Sequence, residues 1–379
     1  MSDNEDLPDF DNLNVAVAHW HVNAWGGAEY LVTKLAEALD CQTVYTVGTP
    51  DPDDPNPYGD VQFVDVIDSL SPRPLRKLQA RVGRLFEYGL WEDVDWREYG
   101  HPDVLVTSGT TTRAVITPDD TLHVNYCHSP PRWFYDLYHD RKDSLAGVLA
   151  RPLLRYLRVR DAALDPRVDH YFANSPIIGR RLRKYYNRES ETLYPPLDLD
   201  EYQNGGDAGY YLHLGRLDTE KGVPAVVEAF EEQNDQLVMA GGEGDVNQSV
   251  RNRIEAAENI DYRGFVSNKK KIKLLSKCTA VVFNGSNEDF GIVPIEALAS
   301  GKPVLARNEG FPSILLTPGE DGYLHDGTAR GIQEAISKNH LEDDGSLSSV
   351  DQFSFEHFSD QLSASIIEQY KSQIKINAH

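Results

Sequence analysis

Short apolar runs alternate with amphipathic stretches along most of this chain, which predicts strands and helices in turn. Residues 14–20 read as a buried strand, Gly26-Gly27 as a turn, and residues 28–39 as an amphipathic helix carrying Tyr30, Leu31, Leu35 and Leu39. Residues 43–47, 61–64, 103–107, 123–126 and 170–173 continue the series of short strands. The pattern begins again at Tyr210, after the turn-rich segments 194–198 and 204–207, so a domain boundary is expected near residue 205. Strands separated by helical stretches predict an α/β protein with doubly wound parallel sheets. The expected domains are 1–205 and 206–352, each Rossmann-like, followed by a terminal helical segment, 353–379. Domain interfaces favour ligand pockets, so the site is expected in a cleft that the two domains face.

The segment Glu288-Asp289-Phe290-Gly291-Ile292-Val293-Pro294-Ile295-Glu296 sets two glutamates around a glycine turn that leads into a helix. Gly291 permits close backbone approach to a ligand, and Pro294 suits a first helical turn, where its missing N–H is no loss. Gly301 reads as the helix stop, and residues 302–306 as the next strand. Free N–H groups at such a helix start favour an anion, and a phosphate is the first candidate. Glu288 can point at the ligand's reactive end, whereas Glu296 suits vicinal hydroxyls, because a carboxylate accepts two hydrogen bonds in a plane. The plain alternative is a helix-capping acid beside an exposed Glu. Further upstream, residues 210–214 form an apolar strand followed by Gly215, Arg216, Lys221 and Gly222. Cations at a strand-to-helix junction of an open sheet are well placed to neutralise a diphosphate. The alternative is a surface loop in which Asp218 and Glu220 pair with them.

Composition narrows the class. With 379 residues, two cores are expected. No run of about twenty apolar residues is present, as a membrane-spanning helix requires, and the acidic Met1–Asp6 start does not resemble a signal peptide. Cys41, Cys127 and Cys278 are scattered, which fits a reducing, cytoplasmic setting rather than a disulfide framework. A formal net charge of −23 argues against nucleic-acid binding and is consistent with a halophilic source.

Taken in order, Gly215-Arg216-Leu217, Lys221-Gly222, Ala240-Gly241-Gly242-Glu243-Gly244, Arg263-Gly264-Phe265-Val266 and the Glu288–Glu296 segment resemble glycosyltransferase family 4 over residues 210–324. Upstream, Trp25-Gly26-Gly27-Ala28-Glu29, Tyr126-Cys127-His128-Ser129-Pro130 and Phe172-Ala173-Asn174-Ser175 resemble it more loosely. The resemblance implies a GT-B fold and a retaining, metal-independent transfer of a hexose from a nucleoside-diphosphate sugar, with no resident cofactor. It assigns Glu288 to the donor sugar and Glu296 to the ribose, and the negative charge that such a transfer builds on the departing diphosphate calls for Arg216, Lys221 and the N–H groups near Phe290, Gly291 and Ile292 on the phosphate side. It also implies that the terminal helix packs back towards the first domain. The stretch 127–133 is similar to some mannosyltransferases, which puts GDP-mannose first among donors and leaves UDP-linked sugars open. A sugar-nucleotide epimerase and an inactive sugar-nucleotide binder of the same fold are the rival readings.

The first half supplies further candidates. Gly27 reads as close backbone approach to donor or acceptor, or as a plain tight turn. The dinucleotide pattern Gly-x-Gly-x-x-Gly is absent there. His128, at a strand end, is a candidate contact for the sugar or the acceptor hydroxyl. His19 and His21 do not complete a metal site, and Asp198-Leu199-Asp200 lies in a linker, so no metal is expected. Arg73, Arg76, Lys77, Arg81 and Arg84, and then Arg151, Arg155, Arg158 and Arg160, are interleaved with apolar residues. Basic amphipathic helices of this kind favour anionic membrane surfaces, so a lipid-linked or glycan acceptor and peripheral attachment at the inner membrane face are expected. The alternative is pairing of these arginines with acids inside the fold.

Overall fold

The computed structural model describes residues 10–22, 25–48, 56–66, 84–139, 145–339 and 350–377. The chain divides into two units, Met1–Pro196 with Phe355–His379, and Leu197–Ser354.

In the first unit, β1 (Val15–His19), β2 (Thr43–Thr46), β3 (Gln62–Asp65), β4 (Val104–Ser108), β5 (Leu122–Cys127), β6 (His170–Ala173) and β7 (Glu191–Thr192) form one sheet. Its order is β3-β2-β1-β4-β5-β6-β7, and its pairings are parallel. Alternate residues of each strand feed different cores, which is why the strands read as continuous apolar runs. Val17, Val104, Val106 and Val124 join one cluster, while Ala16, Ala18 and Leu105 join another with Trp91 and Trp96. Helix Phe355–Asn377 contributes Phe358, Leu362 and Ile366 to the first cluster, four residues apart on one helical face. The order reverses between β1 and β4, where His19 lies directly opposite Ser108. Such a switch point at the carboxyl ends of the strands is where open α/β sheets bind ligands.

The second unit repeats the plan with β8 (Tyr210–Leu214), β9 (Gln236–Ala240), β10 (Ile260–Tyr262), β11 (Ala280–Phe283), β12 (Val304–Arg307) and β13 (Gly322–His325). The order β10-β9-β8-β11-β12-β13 places its switch point between β8 and β11. Helices Val223–Glu231 and Ala329–Lys338 lay Val223, Val226, Val227, Phe230, Ile332 and Ile336 against Leu237, Met239, Val282 and Leu305 of the sheet. β12 starts two residues later than the apolar run suggests. Lys302 still closes the preceding helix through its N–H to Ala297 O (2.9 Å), and its ammonium reaches Gly206 O at 3.0 Å.

Candidate functional site

The loops that leave β8 and β11 meet at the second unit's switch point. Gly222 caps helix Val223–Glu231 with φ 68°, and a Cβ there would lie 2.4 Å from Asn284 Nδ2 and 2.5 Å from Asn284 O. Only glycine meets both demands, the left-handed backbone and the close approach. Asn284 Nδ2 donates to Gly222 O (3.1 Å) and Gly327 O (3.2 Å), and Ser286 N–H donates to Glu220 O (3.1 Å). These bonds hold the two loops in register. Lys221 Nζ then donates to Glu288 Oε2 at 2.7 Å, with the two side chains 32% and 24% exposed. An ammonium has three donors, so two remain for a ligand. Arg216 is exposed and its guanidinium meets Asp218 Oδ2 at 2.8 Å.

Gly291, with φ 73°, caps helix Ile292–Ala299, whose first N–H groups open beside Glu288. Phe290 is buried and stacks on Phe311 at 5.4 Å, while Phe311 N–H donates to Glu288 O at 3.0 Å. The Glu288 backbone is therefore fixed from two sides while its carboxylate stays accessible.

Glu296 lies one turn deeper and is almost fully buried, 3% exposed in its side chain. Its Oε1 accepts from Tyr202 Oη at 2.9 Å and from Lys271 Nζ. Its Oε2 is buried without a hydrogen-bond partner among the described residues. A buried carboxylate oxygen left in this state is costly unless something else donates to it. Neither Tyr202 nor Lys271 was legible as a partner of Glu296. Lys271 ends a Lys-Lys-Lys run that reads as an ordinary solvated helix face, and Tyr202 sits in the linker.

In the first unit, His19, Ser108 and His128 gather at the carboxyl ends of β1, β4 and β5. Ser108 Oγ lies 3.0 Å from His19 Nδ1 and 2.8 Å from His128 Nε2. Trp20 stacks on His128 at 5.9 Å. Burial pushes the His128 imidazole down to about 3, helped by the neighbouring His19, and burial also lowers His19. Glu29 stands in the first turn of helix Gly27–Ala38, with Oε1 3.7 Å from His19 Nε2. Burial acts to raise the Glu29 carboxyl, but His19 and the backbone N–H of Gly26 hold it below its ordinary range. Gly27 is the first helical residue, and a Cβ there would meet nothing within 4 Å. His21 lies beyond β1 and pairs with Glu87 at 3.1 Å.

The arginines divide. Arg73, Arg76, Lys77 and Arg81 lie outside the described residues, and Arg84 opens helix Arg84–Glu92. Along helix Leu145–Ala163, Arg158 turns inward to Phe134 O and over the Tyr138 ring at 4.6 Å, and Arg160 meets Glu92 at 2.8 Å. Arg155 is exposed, as are Leu153 (43%), Tyr156 (59%) and Val159 (70%) on the same helix, and Arg151 is half-buried.

Residues 198–348 match the model of the family described as glycosyl transferases group 1. This segment belongs to that family. The resemblance to glycosyltransferase family 4 carried by the motifs of residues 210–324 is thereby borne out within the group 1 domain. Human alpha-1,3/1,6-mannosyltransferase ALG2 is 26% identical over 248 residues, which cover 56% of this chain and 58% of that protein. The Dictyostelium discoideum enzyme of the same name is 24% identical over 254 residues, covering 58% of this chain and 56% of that protein. The chain thus spans little more than half the length of these relatives. Sucrose-phosphate synthase from Thermosynechococcus elongatus aligns with TM-score 0.65 at 17% identity, over 94% of this chain and 100% of that one. Anabaena HepE, solved in complex with UDP and glucose, aligns with TM-score 0.68 at 15% identity, over 94% of this chain and 99% of that one. With the two parallel sheets, these alignments give the fold as GT-B. Lys221, Glu288 and Glu296 all lie inside the group 1 domain.

Proposed function

We propose that this chain is a retaining, metal-independent glycosyltransferase that moves a hexose, with mannose as first candidate, from a nucleoside-diphosphate sugar to a lipid-linked or glycan acceptor. The observation that carries this reading is the 2.7 Å Lys221–Glu288 pair at the β8/β11 switch point, set between two glycine-capped helix starts. The mannosyltransferase activity for which the ALG2 relatives are named supports transfer of mannose, and the UDP and glucose in HepE support a sugar nucleotide as donor.

The chemistry follows from the bond that breaks. Cleavage at the anomeric carbon leaves positive charge on the sugar ring and negative charge on the departing diphosphate. Arg216, the two remaining Lys221 donors and the N–H groups at the start of helix Ile292–Ala299 stabilise the diphosphate. Glu288, on the sugar side, accepts from ring hydroxyls and orients Lys221. Glu296 Oε2 accepts from the ribose. His128, in the first unit, contacts a sugar hydroxyl. The group donates and accepts hydrogen bonds without a resident cofactor.

The acceptor side is proposed to lie at an anionic membrane surface on the cytoplasmic side. Exposed Arg155 beside exposed Tyr156 and Val159 supports this, since a cation next to apolar side chains suits a lipid headgroup layer. No helix among the described residues is long and apolar enough to cross a membrane. The test is release of nucleoside diphosphate from GDP- and UDP-sugars, with and without a polyprenyl-phosphate-linked glycan presented in anionic vesicles. Acceptor-dependent release that weakens when the vesicles are made neutral is expected. Release without any acceptor, or a sugar altered with no transfer, would count against a transferase, and indifference to vesicle charge would remove the membrane.

A further inference from the structure

We infer that Glu29, His19 and Ser108 form a directed chain that fixes which ring nitrogen of His128 carries the proton, leaving His128 Nδ1 as a hydrogen-bond acceptor for a sugar hydroxyl. The ligand half of this statement rests on the reading of His128 given under the proposed function. The direction of the chain does not.

The direction begins at Glu29. Its carboxylate can only accept, and it stands in the first turn of helix Gly27–Ala38, where the free N–H groups favour negative charge. The Oε2 side lies against Gly26, and Oε1 faces His19 Nε2 at 3.7 Å. That separation is too long for a hydrogen bond, so its effect is electrostatic. His19 Nε2 is buried and has no hydrogen-bond partner among the described residues. A buried neutral imidazole beside a carboxylate turns an N–H towards it, because a lone pair there would be repelled. His19 is thereby the Nε2–H tautomer, and its Nδ1 carries the lone pair.

The remaining steps follow from counting protons. His19 Nδ1 lies 3.0 Å from Ser108 Oγ, so the single hydroxyl proton of Ser108 goes to His19. Ser108 Oγ must then accept at its other contact, 2.8 Å from His128 Nε2, and His128 Nε2 is the donor. A neutral His128 keeps its lone pair on Nδ1, which has no hydrogen-bond partner among the described residues. The register explains why these groups meet: His19 and Ser108 are paired residues at the ends of β1 and β4. Trp20, stacked on the His128 ring, limits its rotation. An acceptor nitrogen at this place welcomes a hydroxyl and repels a phosphate or carboxylate, so the chain selects neutral, hydroxyl-bearing sugar positions. Glu29, His19 and Ser108 are positioning residues, since they act through His128.

Ring-nitrogen NMR of the full-length, 15N-histidine-labelled chain without ligand reads the tautomer directly, with His128 assigned by its loss in His128→Asn. The wild type is expected to show His19 and His128 both as Nε2–H. In Glu29→Gln the amide oxygen keeps Gly26 and the amide nitrogen faces His19, so the whole chain reverses and His128 becomes Nδ1–H. Ser108→Ala cuts the chain, and His128 should then populate both tautomers. It serves as the second variant if Glu29→Gln does not fold. An Nδ1–H His128 in the wild type, or a His128 signal unchanged in the folded variants, overturns the inference. If the tautomer reverses as expected but no sugar is transferred by the wild type, the proposed function fails and the chain stands. If transfer occurs, Glu29→Gln should lower kcat/KM about tenfold, the worth of one hydrogen bond.

Discussion

Replacing Lys221 by alanine is expected to lower the sugar-transfer rate by about 10²–10³ while leaving the folded state nearly as stable as before. The two halves of this expectation have separate causes. Lys221 and Glu288 are both partly exposed, so their ion pair contributes only about 0–1 kcal/mol to stability. The rate depends on charge that appears only as the diphosphate departs, and Lys221 holds two donors ready for it in a fixed place. Glu288→Ala should produce a loss of similar size, because it removes both the sugar contact and the group that orients Lys221. Circular dichroism and thermal melting would confirm that both variants are folded. Wild-type transfer rates in the two variants would show that the switch point of the second unit is not the reacting site.

Glu296→Gln should behave differently, with loss of both nucleotide affinity and stability. Glu296 Oε1 already serves Tyr202 and Lys271, and the amide removes the charge that Lys271 faces. Breaking a fully buried ion pair costs about 3–5 kcal/mol. Lys271 is 28% exposed, so the cost here should fall below that range. The affinity effect arises at Oε2, whose hydrogen bond from a ribose hydroxyl to a charged acceptor is worth about 1.5–3 kcal/mol, roughly 10- to 100-fold in Kd. Tyr202→Phe is the control. It removes one bond to the same carboxylate and should lower the melting midpoint slightly without changing nucleotide affinity. A Glu296→Gln protein that binds nucleotide as tightly as the wild type would leave Glu296 with a purely structural role.

The parts of this site that were legible in the sequence are those built within one loop. Gly291 and Gly222 mark left-handed turns at helix starts, and each sits within a few residues of the chemistry it serves. The repeated strand-helix alternation likewise announced two parallel sheets. What escaped was pairing set by tertiary structure. Glu296 meets Tyr202 from 94 residues away and Lys271 from 25, and no local pattern couples them. Ser108 gave no signal either, because its importance comes from the β1/β4 register that puts it opposite His19. The arginines of helix Leu145–Ala163 show the same limit from the other side. Their spacing suggested a single basic face, yet Arg158 and Arg160 turn towards Tyr138 and Glu92, while Arg155 stays outside.

The central claim is that the group 1 domain holds a nucleoside-diphosphate sugar at Lys221, Glu288 and Glu296. The most direct measurement is thermal melting of the wild type and Glu296→Gln across GDP, UDP, their mannose and glucose conjugates, and the corresponding nucleosides. The wild-type midpoint should rise saturably with at least one diphosphate or its sugar conjugate and hardly at all with the nucleosides, as ligand binding to the folded state requires. In Glu296→Gln the same rise should need much higher concentrations. A wild type whose midpoint no nucleoside diphosphate moves, or one that rises equally in both proteins, would contradict the account.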